Sequence, residues 1–168
     1  MGRLACALAV IAIGLSAVII VATSVTLPSM VASHFAAGGA ASGYLSLDDY
    51  RMLMLMLCVL LPAVILFSMT LMPRVLPGLI NVPNVRAWLA PPHRDETLDV
   101  LATRGALLAI VMTLFIAAVH LLIVRANALS PPRLDAGALG LTVGALVLAI
   151  VIWIVALLAR FRRPPGRR

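Results

Sequence analysis

Two histidines and several polar side chains are the residues of this chain best suited to binding a ligand. His34 lies between the first and second apolar segments, and His120 lies inside the third. Ionisable groups at such depth are rare and are functional candidates by default. We therefore predict an outward-facing polar site that binds a ligand, a metal ion or a peptide. Its predicted members are His34, Phe35, Tyr44, Asp48, Asp49, His120 and Asn127.

The same residues allow a structural interpretation. Asp48 and Asp49 immediately precede an apolar segment, and the dipole of a helix stabilises carboxylates at its N-terminus, so this pair fits helix capping. His34 and His120 would then form hydrogen bonds that hold the loop to the helices. Two histidines without the spacing of a metal motif are weak evidence for a metal ion, so a metal is the least favoured of these ligands and we assign no metal-ligating residues.

No pattern in the sequence indicates catalysis. An enzyme needs a nucleophile with a positioned base, or regularly spaced metal ligands, and neither stands in or beside the apolar segments. The sulfur run of Met52, Met54 and Met56 resembles a set of copper ligands, but in a helix Met54 points away from the other two. We predict a protein that is not an enzyme, with no catalytic residues and no cofactor.

Four long apolar segments must position the polar residues. Each segment lacks formal charge and has about the twenty residues that a hydrocarbon core of roughly 30 Å requires of a helix. We predict an all-α integral membrane protein with a single membrane domain, built as a four-transmembrane-helix bundle. The predicted spans are residues 4–27, 52–72, 105–124 and 136–159, joined by loops 28–51, 73–104 and 125–135 and followed by a basic tail, 160–168.

The arginines predict how the chain is oriented. All thirteen basic residues are arginines; ten precede the first span, separate the second and third, or follow the fourth, and three lie in the other two loops. Because positive residues stay in the cytoplasm, we predict cytoplasmic termini and an outer loop over residues 28–51. The arginines bracket the spans without an aromatic platform, so we predict no nucleic-acid partner.

The loop of residues 73–104 is predicted to be cytoplasmic. Its five prolines prevent a continuous helix through the first two thirds, and after Pro92 we predict a helix lying on the membrane surface that leads into the third span. The alternative is a docking surface for a cytoplasmic partner. Its predicted members are Trp88, Arg94 and Glu96.

A stripe of small residues on the fourth span predicts close helix packing. Ala136, Gly140 and Gly144 recur at every fourth position and therefore share one helix face. Small side chains on one face let the backbone of another helix approach closely. The sequence leaves open whether that helix belongs to the same chain, to a second copy or to another membrane protein.

The outer loop resembles a known family. The residues that carry the resemblance are Leu27-Pro28-x5-His34-Phe35-x3-Gly39-x3-Gly43-Tyr44. This pattern between two spans is similar to the membrane domain of unknown function at the front of SdpI-type immunity proteins, which protect bacteria from a secreted toxin. The resemblance covers roughly residues 10–75, with Ala32 where a second proline is common and Ser42 where an acidic residue often stands. The second half looks similar to uncharacterised four-span members of that group.

The resemblance and the residues together imply a role in binding. We expect a non-catalytic, multi-pass protein of the bacterial inner membrane that binds a ligand or peptide at its outer loop, in toxin immunity or envelope sensing. Its expected partners are the lipid bilayer and a membrane protein or peptide toxin. The alternatives are an accessory subunit of a larger membrane complex and an oligomeric transporter of small solutes or ions.

Overall fold

The computed structural model describes residues 1–165, and 166–168 of the predicted basic tail lie outside the described residues. Its four long helices are α1 (Gly2–Ser24), α2 (Leu47–Thr70), α5 (Arg94–Asn127) and α6 (Ala136–Phe161). Between α1 and α2 lie the strands β1 (Met30–Phe35) and β2 (Ala41–Ser46), and between α2 and α5 lie the short helices α3 (Met72–Val75) and α4 (Val85–Trp88). All four long helices are apolar and long enough to cross a membrane, so the predicted fold class is confirmed.

Helix α5 is the centre of the bundle and packs against α1, α2 and α6. At one end of the bundle, Gly2 of α1 lies beside Asp99, and Phe161 of α6 lies beside Trp88. We call this the loop end, because it carries residues 71–93. The opposite end carries β1, β2 and residues 128–135, and we call it the hairpin end.

Small residues let the helices approach α5 closely. Ala9 of α1 is fully buried against Ala106 and Ala109 of α5. A methyl group added to Gly105 would come within 2.5 Å of the Cβ of Met69, so the contact between α2 and α5 depends on glycine there. Close backbone approach through small residues replaces the hydrophobic driving force that helices lack inside lipid.

The outer loop of the sequence prediction is a β-hairpin. Strands β1 and β2 pair antiparallel, with Val31 opposite Leu45 and Ala32 opposite Tyr44. Helix α1 ends at Ser24 rather than at residue 27, and α2 begins at Leu47 rather than at residue 52. The hairpin therefore fills nearly the whole connection and enters α2 directly.

The surface-lying helix predicted before the third span is not a separate element. Residues 94–127 form one helix of 34 residues, about 51 Å long, which exceeds a hydrocarbon core of roughly 30 Å. Asp95 and Glu96 occupy its first turn, where the helix dipole stabilises carboxylates. The first turns of α5 continue the axis of the span instead of turning along the membrane surface.

Candidate functional site

His120 is the centre of a polar network that joins three helices. Its Nδ1 lies 2.9 Å from the hydroxyl of Tyr50 on α2, and its Nε2 lies 2.7 Å from the hydroxyl of Thr23 on α1. The rings of His120 and Tyr50 stack, with centroids 5.8 Å apart, and both residues are fully buried. Each polar atom of the imidazole therefore has a partner inside the bundle.

The hydroxyl of Thr23 defines the proton positions in this network. It donates to the carbonyl oxygen of Ile19 at 2.7 Å, so its single proton is not available to His120. Thr23 must then accept from Nε2–H, which leaves Nδ1 of a neutral imidazole to accept from the hydroxyl of Tyr50. The network satisfies a neutral histidine completely, without an ion or a ligand.

Asn127 fastens the hairpin to the end of α5. Its Oδ1 accepts from the backbone N–H of Ala32 at 2.8 Å, and its Nδ2 donates to the carbonyl oxygen of Ala32 at 3.0 Å. Nδ2 also donates to the carbonyl oxygen of Ile123 in α5. The side-chain amide thus takes the place of a neighbouring strand along the outer edge of β1 and holds that edge against the bundle.

The ladder of the hairpin shows which edge remains open. The N–H of Leu47 donates to the carbonyl oxygen of Ser29, so these two residues form a hydrogen-bonded pair. Hydrogen-bonded and non-hydrogen-bonded pairs alternate along an antiparallel ladder, so Ala32 and Tyr44, three positions further along, form a pair that is not hydrogen-bonded. The backbone groups of such a pair point away from the partner strand. Those of Ala32 reach Asn127, and those of Tyr44 point to the opposite edge of the hairpin.

The hairpin tip is held by a second contact. Gly39 has a φ of 81°, and its carbonyl oxygen accepts from the N–H of Leu134 at 2.8 Å. A Cβ at Gly39 would lie 2.3 Å from the carbonyl oxygen of Leu134, so no other residue fits here. Gly43 makes similar room for His34, because a Cβ there would lie 3.1 Å from the Cβ of His34.

The structure separates the two histidines of the predicted site. His34 is exposed on β1, and its Nδ1 lies 3.0 Å from the hydroxyl of Ser33, whereas both nitrogens of His120 are bonded to Tyr50 and Thr23. No nitrogen of His120 is left for His34, and the prediction that both stand at the centre of one site is wrong. The alternative prediction, hydrogen bonds that hold the loop to the helices, agrees better with the structure. However, the bonds of His120 join helices to one another, and Asn127 holds the hairpin.

The remaining residues of the predicted site have separate positions. Phe35 packs against the apolar core at the hairpin end, while the side chain of Tyr44 is 50% exposed. The cap of α2 is Ser46, whose Oγ accepts from the backbone N–H of Asp49, while Asp48 and Asp49 both lie in the first turn, where the helix dipole stabilises their carboxylates as predicted. The exposed carboxylate of Asp48 lies 3.7 Å from the half-buried guanidinium of Arg51.

Trp88 and Glu96 are used within the chain at the loop end. Trp88 is 5% exposed, packs edge-on against Phe161, and donates from Nε1 to the carbonyl oxygen of Phe161 at 3.2 Å. Glu96 forms an ion pair with Arg160 of α6. Of the predicted docking residues, Arg94 alone is exposed without such a contact, so Trp88 is not available to a cytoplasmic partner.

The small-residue stripe of α6 has no partner within the described residues. A Cβ added to Gly140 or Gly144 would meet no atom within 4 Å, and Ala136 is exposed. No residue in the most apolar 18-residue stretch of α6 is buried. The stripe does not pack inside this chain, and its packing on another helix stays a prediction.

Sequence reasoning missed Tyr50 and Thr23, which complete the network around His120. Tyr50 lies 70 positions from His120 along the chain, and Thr23 lies 97 positions away. The available signal was their location, since each is a polar residue within one or two turns of a predicted span boundary. Polar groups at such positions need a partner when they are buried.

Four long apolar helices, three of them joined by the network around His120, define a multi-pass helical membrane protein. No protein-family model, curated protein or solved structure matches the chain. The resemblance of residues 27–44 to the immunity-protein domain therefore stays a prediction. Its spacing nevertheless corresponds to a physical unit, because Gly39 forms the hairpin tip and Gly43 stands opposite His34.

Proposed function

We propose that this chain is a non-catalytic protein of the bacterial inner membrane whose β-hairpin faces outward and binds a peptide. Toxin immunity or envelope sensing is the role we assign to that binding. The observation that carries the proposal is the asymmetry of the hairpin edges. Asn127 occupies the edge of β1, whereas the backbone groups of Tyr44 point to the edge of β2, where the described residues form a bridge only beside the hairpin tip, between Ala40 and Arg133.

An edge of this kind fits an extended peptide. A peptide strand can add to an exposed edge through main-chain hydrogen bonds, with side-chain contacts giving specificity. The exposed side chains of His34 and Tyr44 lie on the two strands of the same hairpin. The anchors at Asn127 and Gly39 keep the hairpin ordered before binding, which reduces the entropy lost on association.

A test of binding uses the direction of single backbone groups. Tyr44→Pro removes an N–H that points outward, whereas Leu45→Pro removes one that points toward β1. If expression of the protein protects cells against a secreted antibacterial peptide, we expect Tyr44→Pro to abolish protection while the amide of Val31 stays protected from hydrogen exchange. Protection that survives Tyr44→Pro would exclude the β2 edge as the binding site.

Asn127 gives an independent test of the same proposal. Asn127→Leu keeps the size of the side chain and removes both bonds to Ala32. The amide hydrogen of Ala32 should then exchange faster with solvent, and cells that express the variant should survive the peptide less well. The matched control is Asn84→Leu at the loop end, which should leave both properties unchanged. Equal effects of the two variants would show general destabilisation instead.

The proposed orientation can be measured separately. Tyr44→Cys should react with a membrane-impermeant maleimide in intact cells, and Arg86→Cys at the loop end should react only after permeabilisation. Both positions are exposed. The reverse labelling pattern would invert the topology and remove the outward hairpin from the proposal.

The second candidate function is an accessory subunit of a membrane complex. Its supporting observation is α6, where Gly140 and Gly144 face no atom of the chain within 4 Å. Gly140→Leu and Gly144→Leu would block close approach of another helix while leaving the fold intact. The subunit function is favoured if a stoichiometric partner is lost from membranes that carry these variants. It is favoured further if the wild-type protein gives cells no protection that depends on the hairpin.

A further inference from the structure

A cleft of about 690 Å³ lies at the loop end, between the last turns of α6 and the loop before α4. Its volume falls in the range of roughly 300–1,000 Å³ that small-molecule sites occupy. Two cationic and four apolar or small residues line it. They are Arg162, Arg163, Pro83, Val155, Leu158 and Ala159.

Hydrogen bonds fix the two walls of this cleft relative to each other. Nδ2 of Asn84 donates to the carbonyl oxygens of Phe161 at 3.1 Å and of Arg162 at 3.0 Å. Nε1 of Trp88 donates to the same oxygen of Phe161. The loop that carries Pro83 is thereby attached to the C-terminal end of α6, whose last carbonyl groups would otherwise lack partners.

The arginines at the end of α6 differ in what they contact. The guanidinium of Arg160 lies 4.3 Å from the ring centroid of Trp88 and pairs with Glu96. Arg162 and Arg163 are exposed, and no salt bridge within residues 1–165 includes them. The cleft therefore presents two positive charges that the described part of the chain does not neutralise.

The other wall of the cleft is continuous with the apolar surface of α6. Val155 is 60% exposed and Leu158 is 48% exposed, and one and two turns earlier Val151 and Val147 are exposed as well. Cations at the end of an apolar helix surface complement a molecule with an anionic head and hydrocarbon chains. A free phosphate ion would use the arginines and leave the apolar wall uncovered.

We propose that this cleft binds an anionic phospholipid. The phosphate group lies between Arg162 and Arg163, and the acyl chains run along Val155 and Leu158 toward the bilayer centre. Arginine suits this role because its planar guanidinium donates two parallel hydrogen bonds to phosphate oxygens. The binding is independent of the hairpin and of its proposed ligand.

The test measures binding of phosphatidylglycerol to the full chain in detergent. We compare Arg162→Gln/Arg163→Gln with Arg86→Gln/Arg94→Gln, which removes two exposed charges from the same end outside the cleft. We expect the first variant to weaken binding roughly 25-fold, since each arginine near an anionic surface contributes about fivefold. The second variant should stay within about twofold of the wild type, because neither Arg86 nor Arg94 lines the cleft and screening weakens charges at a distance.

Three further measurements decide between a lipid site and simpler explanations. Val155→Ser/Leu158→Ser should weaken phosphatidylglycerol binding with no change of charge, and phosphatidylcholine should bind weakly to every variant. Equal losses in the two arginine variants, or displacement of the lipid by inorganic phosphate, would overturn the proposal. If the glutamine variant does not fold, Arg162→Lys/Arg163→Lys keeps both charges and should bind phosphatidylglycerol more weakly than the wild type while retaining most of the binding, because an ammonium group cannot donate two parallel hydrogen bonds to a phosphate.

Discussion

The two ends of the bundle hold their helices together with different chemistry. At the hairpin end, the partners are neutral: His120 with Tyr50 and Thr23, and Asn127 with the backbone of Ala32. At the loop end, several partners are charged. There the carboxylate of Asp99 accepts from the N–H of Gly2 and pairs with the amino group of Met1, and Glu96 pairs with Arg160.

This difference follows from burial, because Tyr50 and His120 are fully buried in the bundle, whereas the carboxylates of Asp99 and Glu96 are 46% and 59% exposed. An unpaired charge inside hydrocarbon is costly, whereas a neutral network with every donor and acceptor satisfied can be buried there. Charges near headgroups and water are tolerated and are partly screened. The stability contributed by the hairpin end should therefore be insensitive to salt, and part of that contributed by the loop end should not be.

Trp88 should have the largest effect on stability. Trp88→Ala removes a buried ring that contacts Phe161 and Arg160, and we expect the free energy of unfolding to fall by about 3–5 kcal/mol. Trp88→Phe retains an aromatic ring and loses the N–H bond to Phe161, so it should cost about 1 kcal/mol. Unfolding in mixed micelles measures both changes. A loss under about 0.5 kcal/mol for Trp88→Ala would mean that the loop end does not pack as described.

The network of His120 should have an intermediate effect that salt does not change. Tyr50→Phe and Thr23→Val each remove one hydroxyl, and each should lower the free energy of unfolding by about 1 kcal/mol. A double-mutant cycle of Tyr50→Phe with His120→Leu should reveal coupling of at least about 0.5 kcal/mol. The same values should be obtained between roughly 0.05 and 0.5 M NaCl. Additive effects, or a strong salt dependence, would contradict a neutral network shared by three helices.

The ion pair at the loop end should have the smallest effect and the clearest dependence on salt. Glu96→Gln should cost less than about 1 kcal/mol at low ionic strength and almost nothing at about 0.5 M NaCl, because this pair is partly exposed. Arg160→Gln should cost more than Glu96→Gln, since Arg160 also lies over the ring of Trp88. Equal, salt-independent costs would remove the contrast between the ends.

The four spans could be predicted because apolar length is a local property of the sequence. The limits of the elements were harder, since they depend on single capping residues. Ser46 caps α2, which begins at Leu47, five residues before the apolar run at residue 52, and the charges of residues 94–104 obscured the continuity of α5. The strands of the hairpin were missed because residues 28–51 were predicted as one outer loop, and each strand has only six residues in which to show a pattern.

The site could be predicted only in part, because its contacts are nonlocal. His120 was selected by its depth and Asn127 as a polar residue just beyond the third predicted span, and both are bonded across elements. Their partners could not be predicted, since Tyr50 and the backbone of Ala32 come next to them only after three helices and the hairpin have packed. Spacing along the chain carries no information about a pair separated by 70 positions.

The uninterrupted course of α5 gives the molecule a mechanical property. Asn127 attaches one end of this helix to the hairpin, and Asp99 attaches the other to the first residue of α1. The two attachment points are about 42 Å apart along a rod whose backbone hydrogen bonds are unbroken between them. If the hairpin is displaced along this axis, α5 would move as a rigid rod and shift the loop end in the same direction.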